Sequence, residues 1–207
     1  MEYDVKHGVI HSGKVANELD RFVIDFIDIL NKNNVDYVVV SGYVSIVLGR
    51  TRASEDVDLL IPKMSFEKFF QFFQDLEKNN FECLNSYTIK DAFEMWHEHA
   101  IRFGRIGMPI PNMEFKMITN EIQQDAFENR INLVMRDKLL YISPLELQIA
   151  YKLSIVSKGN FEEISSDKDF EDAKHIYEYF KDKLNKEKLS YYVNLFKVQE
   201  VWKWLQK

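Results

Sequence analysis

Leu19, Phe22, Val23, Phe26, Ile27 and Leu30 recur at helical spacing, which predicts an amphipathic helix over residues 14–32, ended by Asn33-Asn34. The β-branched run Tyr37-Val38-Val39-Val40, bounded by Gly42, predicts a buried strand, and residues 44–48 a short helix stopped by Gly49. Asp56 to Ile61 alternates over its first four positions and ends at Pro62, so a strand is expected with Val57, Leu59 and Ile61 turned inward. Ser65 can cap a helix whose face is Phe66, Phe69, Phe70, Phe73 and Leu76, closed by Asn79-Asn80. Strands are predicted over 81–87, 98–105 and 112–118, the last two separated by a turn around Gly107-Met108-Pro109. A short helix over 121–128 and a strand pair over 131–142, turning near Arg136-Asp137, complete this part.

The pattern changes at Ser143. Ser143-Pro144-Leu145-Glu146 has a capping Ser, a Pro at the first helical position and a Glu three residues after the cap. Helices are predicted beyond it at 144–157, 168–182 and 186–206, with a loop from Gly159 to Lys168. The expected fold class is therefore α+β: a mixed sheet with flanking helices over residues 1–142, followed by a helical bundle over 143–207 packed on it.

Composition narrows the function. The chain of 207 residues is 46% hydrophobic, enough to bury a core, and its 7 Gly and 4 Pro leave no room for a long flexible linker. A net charge of −6 gives no global field for a polyanion, so any nucleic-acid contact must be local. Met1 to Lys14 holds no apolar run, and no segment is long enough to span a bilayer. The single Cys83 can form neither an internal disulfide nor a Cys-based zinc site; a reducing cytoplasm is expected.

The candidate chemistry centres on Asp56 and Asp58. Two positions apart on a strand, both carboxylates leave one face, roughly 6.6 Å apart at their Cα atoms. Like charges so placed suit a shared cation, and Mg²⁺ takes carboxylate oxygens while keeping waters for phosphates. Alone, this spacing also describes a solvated strand face. Ser41-Gly42, between a strand and a helix, lets backbone N–H groups approach a phosphate at a helix amino terminus, although a glycine at such a turn is routine. In Asn112 to Ile118 the alternation puts Met113, Phe115 and Met117 on the core face and leaves Glu114 and Lys116 on the other. If this strand lies beside 56–61, Glu114 completes a three-carboxylate cluster with Lys116 near a phosphate; otherwise the two are a surface pair on an edge strand.

The stretch Val38-Val39-Val40-Ser41-Gly42-Tyr43 with Leu48-Gly49-Arg50-Thr51-Arg52-Ala53-Ser54-Glu55-Asp56-Val57-Asp58-Leu59 resembles the Gly-Gly, helix, Arg-x-Ser/Thr-x-Asp-x-Asp signature of DNA polymerase β-type nucleotidyltransferases. The similarity is to the bacterial and archaeal group that includes toxins of abortive-infection systems. Ser143 to Leu147 with Lys152, and Lys168 to Ala173, resemble the helical region after that family's catalytic core. Ser41 stands where the family usually has its first glycine, and Glu114 where the third acid is often Asp.

The resemblance implies a polymerase β-like core and a two-metal displacement on a nucleoside triphosphate, with Mg²⁺, or Mn²⁺ in its place, held by Asp56, Asp58 and Glu114. It implies phosphate contacts from Ser41, Gly42 and Ser54, and charge stabilisation from Arg52, Lys116 and Lys152. Lys152 reads equally as a stem on the core with its head in water. Asp169 and Asp172 read as a helix cap and as a partner for Lys152 or solvent. The implied acceptor is a hydroxyl of RNA, a transfer-RNA end included, or of protein. A rival reading is a catalytically weak member acting as one half of a toxin–antitoxin pair. Trp96-His97-Glu98-His99 places two imidazoles on one predicted strand face, yet no third zinc ligand follows at a recognisable spacing, so an ordinary strand is expected. Tyr191, Tyr192, Phe196, Val201, Trp202 and Leu205 have the helical spacing of packing residues.

Overall fold

Short-range capping and alternation account for most elements of the computed structural model, which describes residues 1–157 and 159–206. Lys158 and Lys207, inside the expected helical region 143–207, lie outside the described residues. The chain opens with strands β1 (Glu2–Asp4) and β2 (Val9–Ser12), then α1 (Glu18–Lys32), β3 (Val38–Val40), α2 (Gly42–Val47), β4 (Asp56–Ile61) and α3 (Phe66–Lys78). It continues through β5 (Phe81–Cys83), α4 (Ile89–Trp96), β6 (Ile101–Arg105), β7 (Met108–Met117), α5 (Glu121–Glu128), β8 (Ile131–Met135) and β9 (Lys138–Ile142). The remaining helices are α6 (Leu145–Ser154), α7 (Phe161–Ser165), α8 (Lys168–Phe180), α9 (Lys186–Leu195) and α10 (Gln199–Leu205).

Among the described residues the strands form one mixed sheet in the order β1-β2-β8-β9-β3-β4-β7-β6-β5. β3 and β4 are antiparallel, whereas β4 and β7 run parallel with Asp56 opposite Asn112 and Asp58 opposite Glu114. Val57, Leu59, Met113 and Phe115 are fully buried on one face, as the alternation requires. Because side chains alternate with period two, a one-residue slip would bury the acids and expose this face, so the core pins the register. Behind it Phe72 stacks on Phe115 with ring centroids 5.3 Å apart, and Phe26, Phe69, Phe103 and Trp96 close the same aromatic cluster.

The start of α1 is fixed twice. Asn17 and Asp20 form a reciprocal capping box, and the buried Asp20 carboxylate also accepts from Lys14 Nζ at 2.7 Å and the Tyr43 hydroxyl at 2.9 Å. This joins the first long helix to α2, at the edge of the site.

Several expectations are corrected. The charged amino terminus, for which the sequence pattern predicts no element, forms two strands, because β2 finds a parallel partner in β8. Residues 89–96 are helical, capped by Thr88 on the Asp91 N–H, so the preceding strand stops at Cys83 and the next begins at Ile101. Trp96 to His99 therefore share no strand face: Trp96 is buried at the helix end, and His97 lies edge-on to Phe93. The expected Ser143 capping box does not form. Ser143 Oγ donates to Gln148 instead, and Glu146 accepts from the Asn185 N–H at 2.7 Å. The final predicted helix is two, α9 and α10, separated where Lys197 adopts a positive φ of 58°. Among the described residues no helix is long and apolar enough to cross a membrane.

Phe115→Ala removes the ring directly behind Glu114, and by the usual cost of such a core truncation it is expected to lower unfolding stability by about 3–5 kcal/mol in urea titration. A loss within experimental error would contradict the placement of this ring at the centre of the core.

Candidate active site

Register across three strands builds the acidic half of the site. Asp58 on β4, Glu114 on β7 and Arg102 on β6 occupy successive places in one row, because Asp58 pairs with Glu114 and Glu114 with Arg102. Asp56 lies two positions before Asp58 on the same face. Glu114 is 7% exposed and faces the aspartates' side of the sheet, as the alternation predicts.

Cations neutralise this row. Lys116 Nζ is 2.5 Å from Asp58 Oδ1 and 2.5 Å from Glu114 Oε2, so one ammonium bridges both acids. Arg102 takes the other Glu114 oxygen, with Nε at 2.9 Å and Nη2 also in contact. Burial pushes the Glu114 carboxyl up, but the Lys116 ammonium and Arg102 guanidinium outweigh it and hold the group at about 2. Asp58 goes the other way: burial raises it, and repulsion from Glu114 and Asp56 adds to that against the pull of Lys116. Burial works against the Lys116 charge, yet the two acids keep its pKa above the ordinary value.

The basic half is built around a strained turn. Ser41 adopts φ 63° and ψ −135°, a glycine-like conformation, at the residue before α2. Gln148 of α6 clamps it, accepting from the Ser41 N–H at 3.2 Å and donating to the Ser41 carbonyl at 2.7 Å. At Gly42 an added Cβ would stand 2.0 Å from Arg52 Nη2, so only glycine lets this guanidinium lie over the helix start. Ser54 Oγ donates to the Asp56 carbonyl at 2.9 Å and is 3.5 Å from Asp56 Oδ1.

Helix α8 supplies acids to this basic group. Asp172, fully buried, holds Arg50 Nη1 at 2.7 Å, Arg52 Nε at 3.3 Å and Lys152 Nζ at 2.9 Å. Lys152 also meets Asp169 at 2.6 Å and is only 2% exposed. Its head is thus not in water. The cap of α8 is Asp167, so Asp169 and Asp172 both serve Lys152.

Two cavities open on either side of the aspartates. One, of about 510 Å³, joins Ser41, Gly42, Arg52, Ser54 and Lys152 to Asp56 and Asp58. The other, of about 410 Å³, joins the same aspartates to Glu114, Lys116, Leu60, Leu147 and Tyr151. All nine residues singled out in the sequence therefore line one or both. Among the described residues no three His, Cys, Asp or Glu side chains are gathered closely enough to hold a metal ion as they stand. The donor chemistry nevertheless fits Mg²⁺: the acids offer hard oxygen ligands, and the point between Asp58 and Glu114 already holds a positive charge.

Arg102 and Gln148 escaped the sequence reading. Arg102 gains its place only through cross-strand register, and Gln148 sits among Leu145, Leu147 and Ile149, where a polar residue within an apolar helix was the one available signal.

No family model and no curated protein matches the sequence. Solved structures do. An antigenic nucleotidyltransferase-like protein from Paracoccidioides brasiliensis is 18% identical with a TM-score of 0.53, over 89% of this chain and 90% of its own. The antibiotic-resistance factor ANT(2'')-Ia in solution is 12% identical with a TM-score of 0.54, over 86% and 91%. The same factor in complex with adenylyl-2"-tobramycin gives 13% and 0.53, over 86% and 97%. The chain thus has the nucleotidyltransferase fold.

Ser41→Gly relieves the positive φ and removes no hydrogen bond of the side chain, so it is expected to raise stability by about 1 kcal/mol in chemical denaturation. A destabilised Gly variant would show that the turn is not strained. The Glu114 carboxyl, ordinarily at 4.5 and here at about 2, contributes stability that is complete above 4.5 and is lost as pH falls toward 2. Glu114→Gln should flatten that acid limb in unfolding measurements across the window; an unchanged limb would refute the pairing.

Proposed function

We propose that the chain is a divalent-metal-dependent nucleotidyltransferase that moves a nucleoside monophosphate from a triphosphate to a hydroxyl of RNA, a transfer-RNA end included, or of protein. It is read as a DNA polymerase β-like enzyme akin to abortive-infection toxins, with residues 1–142 as core and 143–207 as the helical region packed on it. The observation that carries this is the common cavity wall formed by Asp56, Asp58 and Glu114 beside the Ser41-Gly42 turn. The adenylyl group on the tobramycin bound to one structural neighbour supports ATP as donor.

Each residue has a role that follows from its position. Mg²⁺ or Mn²⁺, when bound, supplies Lewis-acid stabilisation of the phosphoryl oxygens. Asp56, Asp58 and Glu114 would supply its carboxylate ligands, and Glu114 would help deprotonate the attacking hydroxyl once the ion replaces Lys116 on it. The turn at Ser41 and Gly42 presents backbone N–H groups at the start of α2, with Ser54 beside it, so the phosphates belong in the basic cavity. Arg52 and Lys152 in that cavity balance charge that builds on the leaving pyrophosphate, and Lys116, paired with Asp58 where the two cavities meet, balances charge at the reacting phosphoryl group. The less polar cavity, walled by Leu60, Leu147 and Tyr151, receives the acceptor.

One observation favours the rival reading, a catalytically weak protein that binds nucleotide or a toxin–antitoxin partner: Glu114 already has both oxygens engaged by Arg102 and Lys116. A single experiment separates the two. The protein is incubated with Mg²⁺, each α-labelled nucleoside triphosphate and the RNA and protein fractions of a cell extract. Label is expected in one fraction, and Asp58→Asn should lower it by at least about 100-fold, the scale for losing a group that stabilises transition-state charge. Equal labelling by the variant would place the chemistry elsewhere. No labelling, combined with a melting point raised by Mn²⁺ and triphosphate, would establish the binding role instead.

A further inference from the structure

Asp56 and Asp58 differ in their access to a cation. Among the described residues Asp56 pairs with no Lys or Arg, and its Oδ1 meets only Ser54 Oγ at 3.5 Å. Asp58 Oδ1 and Glu114 Oε2 share the Lys116 ammonium, at 2.5 Å from each. The remaining Glu114 oxygen is held by Arg102 across the sheet. Mg²⁺ or Mn²⁺ bound between Asp58 and Glu114 would need the same lone pairs, at a shorter distance than an ammonium keeps. The seat holds one cation at a time.

We propose that Lys116 is a built-in counter-ion occupying the seat shared by Asp58 and Glu114, so that the free protein offers an open seat to one divalent ion and admits a second only as the ammonium leaves. This rests on the nucleotidyltransferase reading. The residue types fit an exchange. Lysine is a compact point charge on a flexible stem, and Lys116 borders the open 410 Å³ cavity into which it can swing. Arg102, whose planar fork grips Glu114 Oε1, remains in place and keeps Glu114 oriented. Once displaced, the ammonium leaves the Asp58 and Glu114 oxygens to the ion, so one side chain keeps the acids together before nucleotide arrives and gives way to the metal afterwards.

The test counts ions. Mn²⁺ is titrated into the full chain with the α,β-methylene analogue of ATP, and free Mn²⁺ is followed by its paramagnetic resonance signal. Wild type should take up one ion readily and a second only at roughly tenfold or higher concentration, equivalent to a competing interaction of about 1.4 kcal/mol. Lys116→Gln should bind both ions at similar concentrations, and Lys116→Arg should keep the wild-type pattern. Two ions of equal affinity in the wild type overturn the inference whether or not the Gln variant folds. So does an unchanged second ion in a Gln variant that melts cooperatively. Either result leaves the nucleotidyltransferase reading standing, whereas no Mn²⁺ uptake by any of the three proteins overturns both.

Discussion

The parallel pairing of β4 with β7 sets Asp58 directly opposite Glu114, and the rest of the site follows from that juxtaposition. Adjacent strands lie about 4.8 Å apart, and two unit charges at that spacing repel by about 3 kcal/mol at an effective dielectric near 20. The fold tolerates this only because Lys116 and Arg102 reach the same row. The core face of the same strands makes the arrangement unavoidable. Val57, Leu59, Met113 and Phe115 are fully buried, so a one-residue slip cannot separate the acids without turning the hydrophobic side to water.

The helices after Ser143 are part of the site and not an annex to it. Gln148 of α6 fixes both backbone groups of Ser41, compensating a conformation that would otherwise cost about 1–3 kcal/mol. Lys152 on the same helix reaches the basic cavity, where Asp169 and Asp172 of α8 hold it. Asp172 alone contacts three cations from two parts of the chain. Removing it would leave buried positive charge unpaired, which is costly whatever the residue does in function.

Local periodicity made much of this legible. Alternation in Asp56 to Ile61 and in Asn112 to Met117 sorted the acids from the core correctly, and the spacing of Phe69, Phe73 and Leu76 gave part of the buried face of α3, which includes Phe72 and leaves the expected Phe66 and Phe70 exposed. What stayed hidden depends on distant partners. β2 has one fully buried residue, Ile10, and exists because β8 lies beside it. α4 was obscured because Phe93, Met95 and Trp96 suit a strand as well as a helix; the packing of Phe93 and Trp96 on Phe69 and of Trp96 on Phe115 decides. Ser143 and Glu146 carried the right letters for a cap, yet Gln148 and Asn185 compete successfully for them. Arg102 is invisible without the β6–β7 register.

Every cation that the sequence assigned to phosphate already has an acidic partner within the chain: Arg52 has Asp172, Lys152 has Asp169 and Asp172, and Lys116 has Asp58 and Glu114. On the proposed function a nucleotide entering with its metal would therefore meet a paired site, and its binding would be an exchange of partners. Such an exchange lowers affinity, since existing contacts must be given up, but it selects for a ligand that brings both signs of charge. Free phosphate would leave the displaced acids unpaired, and a divalent ion seated between Asp58 and Glu114 without phosphate would leave the displaced ammonium unpaired. On the proposed function only a metal–triphosphate complex would satisfy both halves at once, so the internal pairing of the folded protein would also discriminate among anions.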